Sequence, residues 1–88
     1  MDIYEFIWDA PTAEKIIIKH SIVPEEVEQV FQGKTSIRSH RGVYAALGKT
    51  LAGRHLFVVF KRRGGGALKI ITARDMTIKE KRLYQKEI

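Results

Sequence analysis

The sequence predicts a single α+β domain over residues 1–88: two N-terminal helices, an antiparallel meander of about four strands with a short strand before it, and a C-terminal helix. Three observations predict it. Helix-start signals fall at Asp9–Pro11, Pro24 and Thr77. After Gly33 the apolar period changes to two, with glycines between the runs. The length of 88 residues leaves room for one core and no second domain.

Ile3 to Trp8 is short, aromatic and β-branched, and reads as the first strand. Asp9 stands where an N-cap carboxylate could accept from first-turn amides, and Pro11 needs no donor there. Helix one is predicted over 10–20, with Ala13, Ile16 and Ile17 on its apolar stripe. Pro24, with Glu25 and Glu26 favourable to the dipole, starts helix two, whose Val27, Val30 and Phe31 share a face and which Gly33 stops.

Four strands are predicted over 34–40, 43–50, 54–63 and 67–74. If Arg63 faces Ala67 across the triple glycine 64–66, then Phe60 pairs with Ile70, Val58 with Thr72 and Leu56 with Arg74. Phe57, Val59 and Ile71 then occupy the other face, so this hairpin is expected to be covered on both sides. Thr77 and Glu80 form a capping box for a last helix over 78–87, with Met76, Leu83 and Tyr84 docked and Lys79, Arg82 and Lys86 in water.

The charge is uneven. Residues 1–33 hold two Lys/Arg against seven Asp/Glu, a net of −5; residues 34–88 hold fourteen against three, a net of +11. A basic half of this kind favours a polyanionic partner. No cysteine is present, so disulfides and cysteine-based zinc sites are excluded, and a reducing cytoplasm is expected. No apolar run approaches a membrane span and no signal peptide is readable. His20, His40 and His55 lack metal-ligand spacing, and no serine elbow or phosphate loop is present, so no metal or cofactor is expected.

Arg, Lys, His and Tyr on a basic fold suffice for RNA cleavage, because RNA carries its own nucleophile. A protein needs to align the 2′-hydroxyl with the phosphorus, take its proton and neutralise the charge that develops. Several residues keep two readings. Lys19 and His20 end helix one, where cations cap favourably or could meet phosphate. Arg74 precedes a helix start, as a phosphate brace or an ion-pair partner; Arg54 opens a central strand. Glu80 is a capping residue or a base, Tyr84 a core residue or a substrate contact, and Trp8 a core residue or a stacking platform. Lys61, Arg62 and Arg63 beside the glycines form an RNA-tracking patch or a charged hairpin end.

Phe6-x-Trp8-Asp9, Lys19-His20, Glu25-Glu26 with Val30-Phe31, Tyr44 with Gly48, Gly53-Arg54 leading into Val58-Val59-Phe60, and Ile71-Thr72-Ala73-Arg74 with Glu80 and Tyr84 together resemble the BrnT toxins, the DUF497 family, over nearly the whole chain. The resemblance implies a compact RelE-like ribonuclease fold, a metal-independent endoribonuclease that inhibits translation, and a hetero-oligomer with a BrnA-like antitoxin that carries a DNA-binding region. By position the family's motif residues fall on Lys19, His20, Arg54, Arg74, Glu80 and Tyr84.

The working site is therefore His20, Arg54, Arg74, Glu80 and Tyr84 for catalysis, with Lys19, Arg41, Lys61, Arg62 and Arg63 for RNA. Arg74 and Arg54 would hold the phosphate, His20 or Glu80 would act as base, and Tyr84 or Lys19 would assist. The alternative is a degenerate toxin that binds nucleic acid or antitoxin without catalysis.

Three departures stand out. Ser21 and Val23 replace the glycine and the N-cap serine that many members carry after Lys-His, which is expected to alter the geometry beside His20. The arginine often found before Tyr44 is Val43, with Arg41 two positions earlier, so an edge phosphate contact is expected to shift or vanish.

Overall fold

The computed structural model describes residues 5–87. β1 (Glu5–Ile7) leads into α1 (Ala10–His20) and α2 (Pro24–Val30), followed by β2 (Ser36–His40), β3 (Val43–Lys49), β4 (His55–Arg63), β5 (Ala67–Asp75) and α3 (Ile78–Glu87). The five strands form one mixed sheet in the order β1-β5-β4-β3-β2. β1 runs parallel to β5, and the other neighbours are antiparallel. Of the predicted first strand, Ile3 and Tyr4 lie outside the described residues.

The hairpins follow from turn chemistry. His40 pairs with Val43 across Arg41 and Gly42, both at positive φ (52° and 81°), as a two-residue primed turn requires. Arg63 pairs with Ala67 across a single tight turn at Gly64–Gly66. One glycine permits helix–sheet contact: a Cβ at Gly48 would lie 2.7 Å from Val30 Cγ1, so α2 can sit down on β3 only because none is there.

Both sheet faces are covered. On one, Leu56, Val58, Phe60, Leu68, Ile70 and Ala73 meet Ile16 of α1, Ile22, and Val27 and Val30 of α2, all buried. Phe6, Phe31, Phe60 and Tyr44 continue this core as an edge-to-face and stacked series, with centroids 5.3–5.5 Å apart. On the other, Leu47, Met76 and Tyr84 are buried with Phe57 and Leu83 against them, so α3 lies opposite α1 and α2.

Three expectations need correction. Asp9 occupies the N-cap position of α1 but makes no capping bond; its carboxylate pairs with Lys69 Nζ at 3.5 Å, a contact across to β5 that sequence spacing does not reveal. Helix two ends at Val30, and Gly33 falls in the turn beyond. The third correction matters most. Phe60 does pair with Ile70, but a bulge then shifts the ladder by one, so that Val59 meets Thr72, Val58 meets Ala73, Phe57 meets Arg74 and Leu56 meets Asp75. Because side chains alternate faces, the bulge sends Arg74 to the α3 side and brings Asp75 to the α1–α2 side.

Candidate functional site at the α3 end of the sheet

The residues predicted for catalysis gather at one end of the sheet, where β4 begins and β5 ends, but on its two opposite faces. His20 and Arg54 belong to the α1–α2 side; Arg74, Glu80 and Tyr84 belong to the α3 side.

On the first side the chain leaves α1 through Ser21, held in the left-handed region at φ 53° and ψ 39°. Its N–H donates to Ile17 O (3.0 Å), and Ile22 N–H to Ile16 O (3.2 Å). This is the conformation for which glycine is favoured, so the serine here carries backbone strain of about 1 kcal/mol. Arg54 finishes the helix from another strand. Its Nε and Nη2 form a fork on Asp75 (2.7 and 3.0 Å), Nη2 also donates to His20 O (2.8 Å), and Nη1 donates to Ser21 O (2.8 Å) and Glu26 (3.5 Å). All five N–H donors of the guanidinium are spoken for. Both Arg54 and Asp75 are stabilised in charged form: the bond to Asp75 raises the guanidinium pKa further, and the same bond holds Asp75 below the usual carboxylate range. Lys19 is exposed and His20 half-buried beside this clasp.

On the second side Arg74 lies over the Phe57 ring, with Cζ 4.1 Å from its centroid. It meets Glu80 end-on through Nη1 and Nη2 (2.8 and 2.9 Å), and Nη1 also donates to Asp75 O (3.1 Å). The predicted capping box is present: Thr77 N–H donates to Glu80 (2.8 Å), and Glu80 N–H donates to Thr77 Oγ1 (3.2 Å). Arg74 and Thr77 hold Glu80 below its ordinary pKa, which makes it a poor proton acceptor. The described bonds leave Arg74 with Nε–H and one Nη2–H, the two that make a side-on fork for an oxyanion.

Tyr84 is buried, donates its hydroxyl to Lys34 O (2.8 Å) and stacks edge-on to His55 at 5.9 Å. Burial raises its pKa. It therefore sits as a packing residue beneath the site. Ser36 Oγ donates to Glu87 (2.7 Å) and Arg38 pairs with the same carboxylate, pinning the end of α3 to β2.

The sequence missed His55, Lys49 and Lys81. His55 shares a face with Phe57 and hence with Arg74, and pairs across the ladder with Lys49. Its pKa is lowered by burial and by the charges of Lys81 and Lys49; Lys81 also acts on Asp75. Strand parity places His55 beside Phe57, but the proximity of Lys81 depends on how α3 docks.

The RNA-binding candidates divide by distance. Lys19 is at the end just described. Arg41, Lys61, Arg62 and Arg63, all exposed, cluster at the far hairpin tips, about 23 Å along β4 at roughly 3.3 Å per residue. There Arg62 lies 5.8 Å over the Tyr44 ring, lining a groove of about 220 Å³ with Phe31, Ile37, Phe60 and Leu68. Trp8 is half-buried against the core, with its indole N–H on Glu28 (3.1 Å), so the core reading of this residue holds. Among the described residues no three His, Asp or Glu side chains converge as metal ligands, and no helix is long and apolar enough to cross a membrane.

Residues 8–80 match the family model described as the ribonuclease toxin BrnT of type II toxin–antitoxin systems. The chain belongs to the BrnT family. The crystal structure of the Brucella abortus ribonuclease toxin BrnT superposes with a TM-score of 0.68 at 25% identity, over 85% of this chain and 99% of that one. A sequence comparison with curated proteins gave no significant match. As a BrnT-family toxin, the chain has a ribonuclease role and an antitoxin partner at the level of the family.

Proposed function

We propose that this BrnT-family chain is a metal-independent endoribonuclease acting in the cytoplasm, which inhibits translation by cutting RNA through attack of the 2′-hydroxyl on the adjacent phosphorus. A BrnA-like antitoxin with a DNA-binding region would hold it inactive in a hetero-oligomer.

The observation that carries this reading is the open edge of Arg74. Glu80 and the Phe57 ring fix the guanidinium, while two parallel N–H donors remain unclaimed. Preorganised donors of this kind stabilise the charge that develops on a phosphorane without having to reorganise. Glu80 then serves as the holder of Arg74 and Tyr84 as the floor of the site, and Arg54 positions the sheet end through the α1 clasp. Lys19 and His20 would meet the RNA where it leaves this end, and Arg41, Lys61, Arg62 and Arg63 would follow its backbone at the far tips.

Purified protein, single-stranded RNA and EDTA test the proposal. The wild type should leave 2′,3′-cyclic phosphate ends, and Arg74→Ala should cut about 10²–10³-fold more slowly while remaining folded. A gel shift without products from the wild type would favour the non-catalytic binding module instead.

A further inference from the structure

Cleavage needs a proton acceptor, and the acidic and aromatic candidates are engaged elsewhere. Glu80 is committed to two Arg74 bonds and the Thr77 amide, and the Tyr84 hydroxyl is committed to Lys34 O. His20 lies across the sheet from the open edge of Arg74, on the α1–α2 side. His55 is the imidazole on the same face as Arg74 at this end of the sheet: Arg74 is opposite Phe57, and His55 is two residues before Phe57 on β4. Its ring is half-buried, edge-on to Tyr84, and takes part in none of the described hydrogen bonds; only its carbonyl is used, by Met76 N–H at 3.1 Å.

We propose that His55 is the catalytic base of this site and that Lys49 and Lys81, flanking it, bind the phosphate together with Arg74. This rests on the ribonuclease reading above. In the step, His55 takes the 2′-hydroxyl proton, O2′ forms its bond to phosphorus, and the P–O5′ bond breaks. The 5′-oxygen leaves with the electron pair and takes a proton from water, and the imidazolium later returns its own to solvent.

The charged and titratable groups on the ring's side of the sheet are Lys49 on β3, Tyr84 and, about one turn before it, Lys81 on α3, and Arg74 at the end of β5. Burial first, and then the charges of Lys81 and Lys49, lower the imidazole pKa and so favour its neutral, proton-accepting form, while the lysines attract the anion whose attack it assists.

Three measurements decide it. With active wild type, His55→Ala should cut RNA at least about 100-fold more slowly, still shift the RNA on a gel, and regain part of its rate with added imidazole. His55→Gln serves if the alanine variant does not fold. Lys81→Gln should move the acid limb of the cleavage profile upward, toward the ordinary histidine value near 6.5, because a cation that depresses the imidazole is gone. A non-cleavable 2′-deoxy dinucleotide should raise the His55 titration midpoint seen by NMR, through the approach of its phosphate. Wild-type cleavage undiminished in both His55 variants, or an acid limb and NMR midpoint that do not move, overturns the assignment while leaving the ribonuclease reading intact. A wild type that cuts nothing overturns both.

Discussion

Two arginines stand at the same end of one sheet and differ in what their donors have left to offer. Arg54 spends every N–H on Asp75, Glu26 and the last carbonyls of α1. Arg74, held by one carboxylate and an aromatic ring, keeps a fork open. An arginine in a family motif can thus serve the fold or the chemistry, and hydrogen-bond accounting separates the two where residue type does not. The clasp has a clear need: α1 fully buries only Ile16, with Ile17 44% and Ile18 79% exposed, so its apolar docking alone is weak.

The largest expected effect breaks the comparison directly. Arg74→Ala should lose activity by the factor given above with little change in melting temperature, whereas Arg54→Ala should cost about 2–4 kcal/mol of stability by denaturant unfolding. Arg54→Lys should not restore it, since one ammonium cannot span Asp75 and two carbonyls. If Arg54→Ala melts like wild type and only activity falls, the clasp assignment is wrong.

Changing the chain that Arg54 closes gives a smaller and opposite effect. Ser21→Gly should stabilise by about 0.5–1 kcal/mol, because it relieves a left-handed serine. Val23→Ser should add about 0.5–1 kcal/mol by supplying an acceptor at the N-cap of α2, where Glu26 already accepts from Val23 N–H (3.1 Å). Thermal melts of the two variants check both.

The smallest effect is a pH slope. Asp75 and Glu80 are both held below the ordinary carboxylate range by their arginines. A group lowered in the folded state contributes stability above its unfolded value, near pH 4, and that contribution drains as pH falls through the lower folded value. Asp75→Asn should therefore flatten the stability loss of the wild type below about pH 4 while lowering stability at neutral pH, as read from melts across that range.

Much of the molecule is legible in its residues. Pro24, the Thr77–Glu80 box and the glycines at 42 and 64–66 mark helix starts and turns by local chemistry alone, and these elements form where the pattern puts them. The β4 alternation gives the covered faces, because Leu56, Val58 and Phe60 point one way and Phe57 the other. The Asp9 carboxylate, by contrast, found Lys69 on a strand sixty residues later, and no local rule competes with such a contact. His55, Lys49 and Lys81 were invisible as a group for the same reason: they meet only when β3, β4 and α3 are packed together.

By itself, then, the order of residues determined the elements, the hairpin turns, the two apolar faces and the basic character of residues 34–88, all of which depend on neighbours a few positions apart. The tertiary structure decided which arginine faces which helix. One bulged residue between the Val59–Thr72 and Phe60–Ile70 pairs reverses the alternation of β5, so Arg74 turns to α3 and Asp75 takes its place beside Arg54. In an uninterrupted ladder both guanidiniums would share a face; with the bulge, one closes a helix and the other keeps two donors outside the described bonds.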